Sequence, residues 1–318
     1  MKLITVTNRG TRHVPPRCGS GASWLTGLTM LLCASGCQLF RSQGPVPKGV
    51  AEARELSQRG MNAMERGDLP GAESFLAQAV KVCPSDIEAR RQYAETLWQR
   101  GQRERALASM EKAQSIAPDD AQIGCRVGEM YLALGNVDDA RQMADDVLDL
   151  SPDESRAWAL RGRAEVAAGN FDRALADFHR ALETVHDDRE LLMETAELYR
   201  RMNRPQRALS TLTALCETYG PGEEPQQVLY LKGLALAALS RHDEAADSFA
   251  LAVDHGSASS ELLYRLGESA LAAGRAGEAE RAVSQALAMD PGHEPSRALK
   301  GRIDVAMGRG QGSGFRVQ

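Results

Sequence analysis

The chain has 318 residues, a formal charge of −5, 43% hydrophobic and only 5% aromatic residues, and is rich in Ala, Leu, Arg and Glu. That composition favours helices and argues against an all-β domain, which draws on aromatic and β-branched residues. Residues 1–36 hold four basic side chains and no acid, so the remainder sets 34 basic against 43 acidic residues. A body with that balance is a poor ligand for nucleic acid, whose affinity rests on neutralising phosphates.

In chain order, the first expected element is a targeting segment over residues 1–36. Lys2, Arg9, Arg12 and Arg17 are followed by an uncharged run from Cys18 to Phe40, most apolar at Trp24–Cys33, and Ala34-Ser35-Gly36 lead directly into Cys37. Basic residues, an apolar stretch and small residues before a cut site describe a secretory signal peptide. The small residues ending in cysteine resemble the lipobox of bacterial lipoproteins. The resemblance implies that Cys37 becomes the first residue of the mature protein, linked to diacylglycerol, and that the protein faces the periplasm from a membrane of the cell envelope. Gln38 stands where the enteric inner-membrane retention pattern has aspartate, which favours the outer membrane. The n-region is longer than in that pattern, and Ala34 replaces the commoner leucine. The alternatives are an uncleaved signal anchor, because residues 18–40 are long enough to span a bilayer, and a cytosolic protein whose translation start is misplaced. The lipidated cysteine and a flexible spacer, marked by Gly and Pro in Ser42–Val50, occupy residues 37–52.

From Ala53 to His293 a step of 34 residues recurs. Gly67, Gly101, Gly135 and Gly169 are one step apart, and so are Ala72, Ala106, Ala140, Ala174 and Ala208. Units begin near Ala53, Ile87, Ala121, Ser155, Arg189, Gln226 and Ser260, with three extra residues at Tyr219–Pro225 that require a longer loop. A fixed period of this length marks a stacked-repeat array. Each unit reads as two short helices. The first ends at unit position 15, a glycine in five units and Asn203 in the fifth. The second ends before position 32, where Pro84, Pro118, Pro152 and Pro291 stand. Ser85 and Glu88 fit a capping box for the helix that follows. Position 8 is always Gly or Ala and position 20 always Ala, which lets paired helices approach closely, while larger residues such as Phe178 and Phe249 at position 24 fill the gaps.

Small at 8, Tyr at 11 (Tyr131, Tyr199), Ala at 20, apolar at 24, Ala at 27 and Pro at 32 resemble the tetratricopeptide repeat. The resemblance implies an all-α, right-handed superhelical solenoid of antiparallel helix pairs, about seven repeats over residues 53–293. A capping helix follows over 294–308, then a disordered Gly-rich tail over 309–318. It also implies a concave groove lined by positions 2, 5, 9 and 12 of each first helix. Carried over residue by residue, these positions select Arg91, Glu95, Trp98, Gln122, Cys125, Glu129, Leu132, Arg156, Arg163, Glu190, Met193, Glu197, Arg200, Gln227, Tyr230, Glu261, Tyr264 and Glu268. Arg156 and Arg163 form a basic spot that suits a carboxylate of the partner. Tyr230 and Tyr264 are equivalent residues one unit apart and are expected to be near neighbours.

The remaining chemistry is sparse. Cys83, Cys125 and Cys216 lie in separate units without metal-type spacing and read as small apolar residues. The histidines form no HxxxH pair, and no nucleophile elbow is present. The expectation is a non-catalytic, membrane-anchored scaffold or adaptor of the bacterial envelope. It would bind protein or peptide segments in its groove and use no cofactor, metal, nucleic acid or small-molecule substrate. The alternative is a non-catalytic subunit of an envelope enzyme complex.

Overall fold

The computed structural model describes residues 48–308. The signal segment, Cys37 and the tail over 309–318 lie outside the described residues. Fifteen helices follow one another among the described residues. They are α1 (Lys48–Glu65), α2 (Leu69–Val82), α3 (Ile87–Gln99), α4 (Arg103–Ile116), α5 (Ala121–Ala133), α6 (Val137–Leu150), α7 (Ser155–Ala167) and α8 (Phe171–Thr184). Then come α9 (Arg189–Arg201), α10 (Pro205–Glu217), α11 (Gln226–Ala238), α12 (His242–Asp254), α13 (Ser260–Ala272), α14 (Ala276–Met289) and α15 (Glu294–Ala306). Odd-numbered helices are the first of each pair, even-numbered ones the second, and α15, the last described helix, packs on α13 and α14. Each helix packs on the next, and first helices of adjacent repeats also touch, as α1 does α3 and α5 does α7. The array is the expected all-α solenoid. Its first helix begins at Lys48, inside the stretch read as spacer to residue 52. No described helix is long and apolar enough to cross a membrane.

The turn inside every repeat has one geometry. Position 15 is left-handed in all seven units: Gly67, Gly101, Gly135, Gly169 and Gly274 have φ between 75° and 84°, Asn203 has 54° and Ser240 has 59°. The next residue then donates its N–H to the carbonyl five residues back, from Asp68 to Ala63 (2.9 Å) through Arg275 to Ala270 (2.8 Å). This is the helix-ending bond that a left-handed residue makes possible. Glycine takes that conformation without penalty, whereas Ser240 holds it against the Cβ clash. The array therefore imposes the turn even where the sequence lacks the glycine.

The start of the first helices departs from expectation. Asp86, not Ser85, caps α3: its Oδ1 accepts the N–H of Ala89 at 3.0 Å. Glu88 instead pairs with Arg91 at 2.8 Å. Asp120 and Asp188 cap α5 and α9 in the same register, and Glu154 caps α7. A carboxylate is a stronger acceptor than a hydroxyl and also suits the positive end of the helix dipole. The second helix of the fourth repeat ends in register although His186 stands where others have proline. There the His186 ring nitrogen lies 2.6 Å from the Leu182 carbonyl, occupying an acceptor left open at the helix end.

Position 8 meets position 24 in the first, fourth, sixth and seventh pairs. A Cβ added to Gly162 would come within 2.5 Å of the Phe178 ring, one on Gly233 within 2.5 Å of Phe249, and one on Gly60 within 2.6 Å of Leu76. The third repeat has only Ala144 at position 24, and there Leu160 of the following helix fills the space over Gly128 (2.4 Å). The two aromatic rings thus occur opposite glycine, and the packing is conserved in volume, as a dense interior requires. Phe178 and Phe249 are fully buried and join successive apolar clusters that run along the array. The repeats have no central core; each is completed by its neighbours.

Candidate functional site

The first helices of four successive repeats line one cleft of about 560 Å³, walled by Met61, Met64 and Glu65 of α1, Glu88, Arg91, Gln92 and Glu95 of α3, Gln122, Arg126 and Glu129 of α5, and Arg156 of α7. Helical spacing explains the set, because residues three and four apart stand on one face. Of the residues selected from sequence, Arg91, Glu95, Gln122, Glu129 and Arg156 meet here. A second cleft of about 510 Å³ gathers Glu197, Arg200 and Tyr230 with Leu234 and Arg265.

Within the first cleft the charges form a ladder between repeats. Arg126 of α5 makes a two-bond pair with Glu95 of α3 (Nε–Oε1 2.6 Å, Nη2–Oε2 2.8 Å) and reaches Glu129 at 3.1 Å. Glu129 in turn takes Arg156 of α7 at 2.8 Å. Farther along, Arg163 of α7 pairs with Glu194 (2.9 Å) and Glu190 (3.3 Å) of α9. The hydrogen bonds to Glu95 hold the Arg126 guanidinium above its usual pKa. For Arg156 and Arg163, burial acts to lower the pKa, but the bonds to Glu129 and Glu194 outweigh it and the net direction is up. All these groups are partly hydrated, so a single rung contributes about 1 kcal/mol or less. The basic spot expected from Arg156 and Arg163 is therefore already matched by carboxylates.

The other selected residues have varied settings. Trp98 is half-buried, with the guanidinium groups of Arg103 and Arg126 each 5.5 Å from its ring centroid. Met193 packs, partly buried, against the cluster around Phe178. Glu197 and Arg200 pair with each other at 2.7 Å. Tyr230 and Tyr264 turn to different rings: Tyr230 meets Phe249 at 5.8 Å and Tyr264 meets His293 edge-on at 5.9 Å. The Tyr264 hydroxyl donates to Glu268 at 2.9 Å, and burial followed by that bond raises its pKa. Cys125, carried over as a groove position, is fully buried beside Val147, Leu148 and Ala157, and burial pushes its thiol up to about 12. Such a thiol is unreactive. Positions 2, 6 and 9 line the cleft in both α3 and α5; position 5 reaches it at Arg91, a long side chain, and not at Cys125. Arg126, the centre of the ladder, stands at position 6 and so escaped a rule built on positions 2, 5, 9 and 12; its signal in the sequence was an arginine one step from the groove positions, with Glu95 in the preceding unit and Glu129 three residues on.

The sequence between residues 63 and 124, and again over 128–189, 193–261 and 264–312, matches models described as tetratricopeptide repeat. The chain belongs to the tetratricopeptide repeat family. Similar solved structures include a tetratricopeptide repeat protein from Parabacteroides merdae, at 17% identity over 80% of this chain and 99% of that one (TM-score 0.56). PilF of Pseudomonas aeruginosa follows at 20% identity over 64% and 91% (TM-score 0.55). YrrB, described as a tetratricopeptide repeat protein with an unusual peptide-binding site, matches at 19% identity over 60% and 97% (TM-score 0.55). At these identities the likeness is one of fold. No curated protein matches the chain. The tetratricopeptide assignment accounts for the small residues at positions 8 and 20 and for the exposed face of the first helices.

Proposed function

We propose that this tetratricopeptide array is a non-catalytic scaffold of the bacterial cell envelope, anchored by a lipid on Cys37, that holds extended segments of partner proteins along its first helices. The observation that carries the binding role is the cleft shared by α1, α3, α5 and α7, where charged, amide and thioether side chains line a surface instead of a core. A cleft built from equivalent faces of successive repeats suits an extended ligand, which meets each repeat in turn. YrrB is described as having a peptide-binding site, and the same ligand class fits a long, open surface better than a small molecule that needs enclosure. The anchor rests on the run Ala34-Ser35-Gly36-Cys37 after an apolar stretch.

Gln122 is exposed in the cleft, so Gln122→Trp adds bulk there without touching the core. Affinity purification from detergent-solubilised membranes should lose its specific partners in this variant while helical content is unchanged; undiminished capture would remove the cleft from the account. Cells fed a palmitate analogue should label the wild-type chain and not Cys37→Ser. Equal labelling of both would remove the lipid.

A further inference from the structure

We infer that the cleft between α1, α3 and α5 selects a basic partner segment, one presenting a lysine or arginine next to an apolar side chain. The inference rests on the cleft being the binding face and specifies its ligand.

Three observations converge. First, every arginine that lines the cleft is matched: Arg91 by Glu88 at 2.8 Å, Arg126 by Glu95 at 2.6 Å and Arg156 by Glu129 at 2.8 Å. The charge left over is acidic, since Glu65 lines the same cleft, is exposed, and makes no ion pair among the described residues. Second, the wall holds an open acceptor: the exposed Glu65 carboxylate accepts no hydrogen bond among the described residues. A ligand group rich in N–H completes such a wall, whereas a carboxylate adds a further acceptor. Third, all 43 acids of the chain fall within residues 48–308 against 31 of its 38 basic residues, so the array as a whole attracts a cation and repels an anion. Met61 and Met64 supply the apolar contact; Met61 is 37% exposed on the cleft wall. Thioethers adapt to aliphatic side chains, including the stem of a lysine or arginine. The choice is the reverse of the carboxylate ligand expected from Arg156 and Arg163, because those arginines are already neutralised.

The test uses three fluorescent decapeptides of equal length, alternating leucine with arginine, with glutamine or with glutamate, titrated against the full-length chain in detergent by anisotropy. The arginine peptide is expected to bind at least tenfold more tightly than the other two. Glu65→Gln should reduce that preference several-fold. Glu129→Gln, which frees the Arg156 guanidinium, should narrow the gap between arginine and glutamate peptides. Equal binding of all three peptides, blocked by Gln122→Trp, would overturn the basic preference and leave the cleft as binding face. Binding of the arginine peptide that Gln122→Trp does not affect would place the site elsewhere and overturn both. Binding that emerges only when Arg309 and Arg316 are changed to glutamine would make the chain's own end the occupant, and the partner proposal would fall.

Discussion

Replacing Phe178 by alanine is expected to lower the stability of the array by about 3–5 kcal/mol, the range for removing a fully buried aromatic side chain. The ring sits against Gly162, close enough that even one added carbon there would lie 2.5 Å away. It is also buried in the cluster that ties α7 and α8 to α9 and α10. Alanine leaves a cavity that the short helices cannot close by sliding, since their turns are pinned by the left-handed residues Gly169 and Asn203. Because each repeat depends on its neighbours, the loss should be greatest between α7 and α10 and small at the two ends. Urea unfolding measures the total, and amide hydrogen exchange measures its spread. A loss below about 1 kcal/mol, or one spread evenly along the chain, would contradict this packing.

Arg161→Met is expected to lower stability by about 3 kcal/mol, comparable to breaking a buried ion pair from one side. Arg161 of α7 makes two bonds to Asp177 of α8 (3.0 and 2.7 Å) and one to Asp145 of α6 (2.8 Å). Its guanidinium lies 4.4 Å from the Trp158 ring centroid, and the Trp158 indole N–H donates to the Pro152 carbonyl at 2.7 Å. One side chain thus joins the third and fourth repeats. The bonds to Asp177 raise the pKa of Arg161 despite its burial. Asp177 is only 6% exposed, so methionine at 161 strands its carboxylate. The double variant Arg161→Met/Asp177→Leu should therefore recover much of the loss, because no charge is left buried. A double variant as unstable as the single one would show that Arg161 acts through packing alone.

The repeat register was legible in the sequence because each of its marks has one physical cause. Only small residues fit where helices cross at Gly162 or Gly233, and only glycine or asparagine takes the left-handed turn cheaply. Ser240 lies outside that logic: the turn it makes is enforced by α11 and α12 packing on their neighbours, a tertiary constraint that no local residue announces. The capping residue was misread because Ser85 and Asp86 are adjacent and both can cap; their order is decided by which side chain points at the free N–H groups. The cleft was legible only in part. Arg91, Glu95, Gln122, Glu129 and Arg156 follow from helical spacing. The pairing of Glu95 with Arg126 across two repeats brings in position 6, which the rule for groove positions leaves out. The consequence is that several residues facing the cleft both hold the stack together and shape what the cleft accepts.

The central claim is that partners lie along the first helices and not along the second. A photo-crosslinking amino acid placed at Gln122, exposed in the cleft, or at Ala108, exposed on α4, tests this directly in living cells. The account predicts discrete crosslinked partners from position 122 and none from position 108. Crosslinks from position 108 with none from position 122 would contradict it.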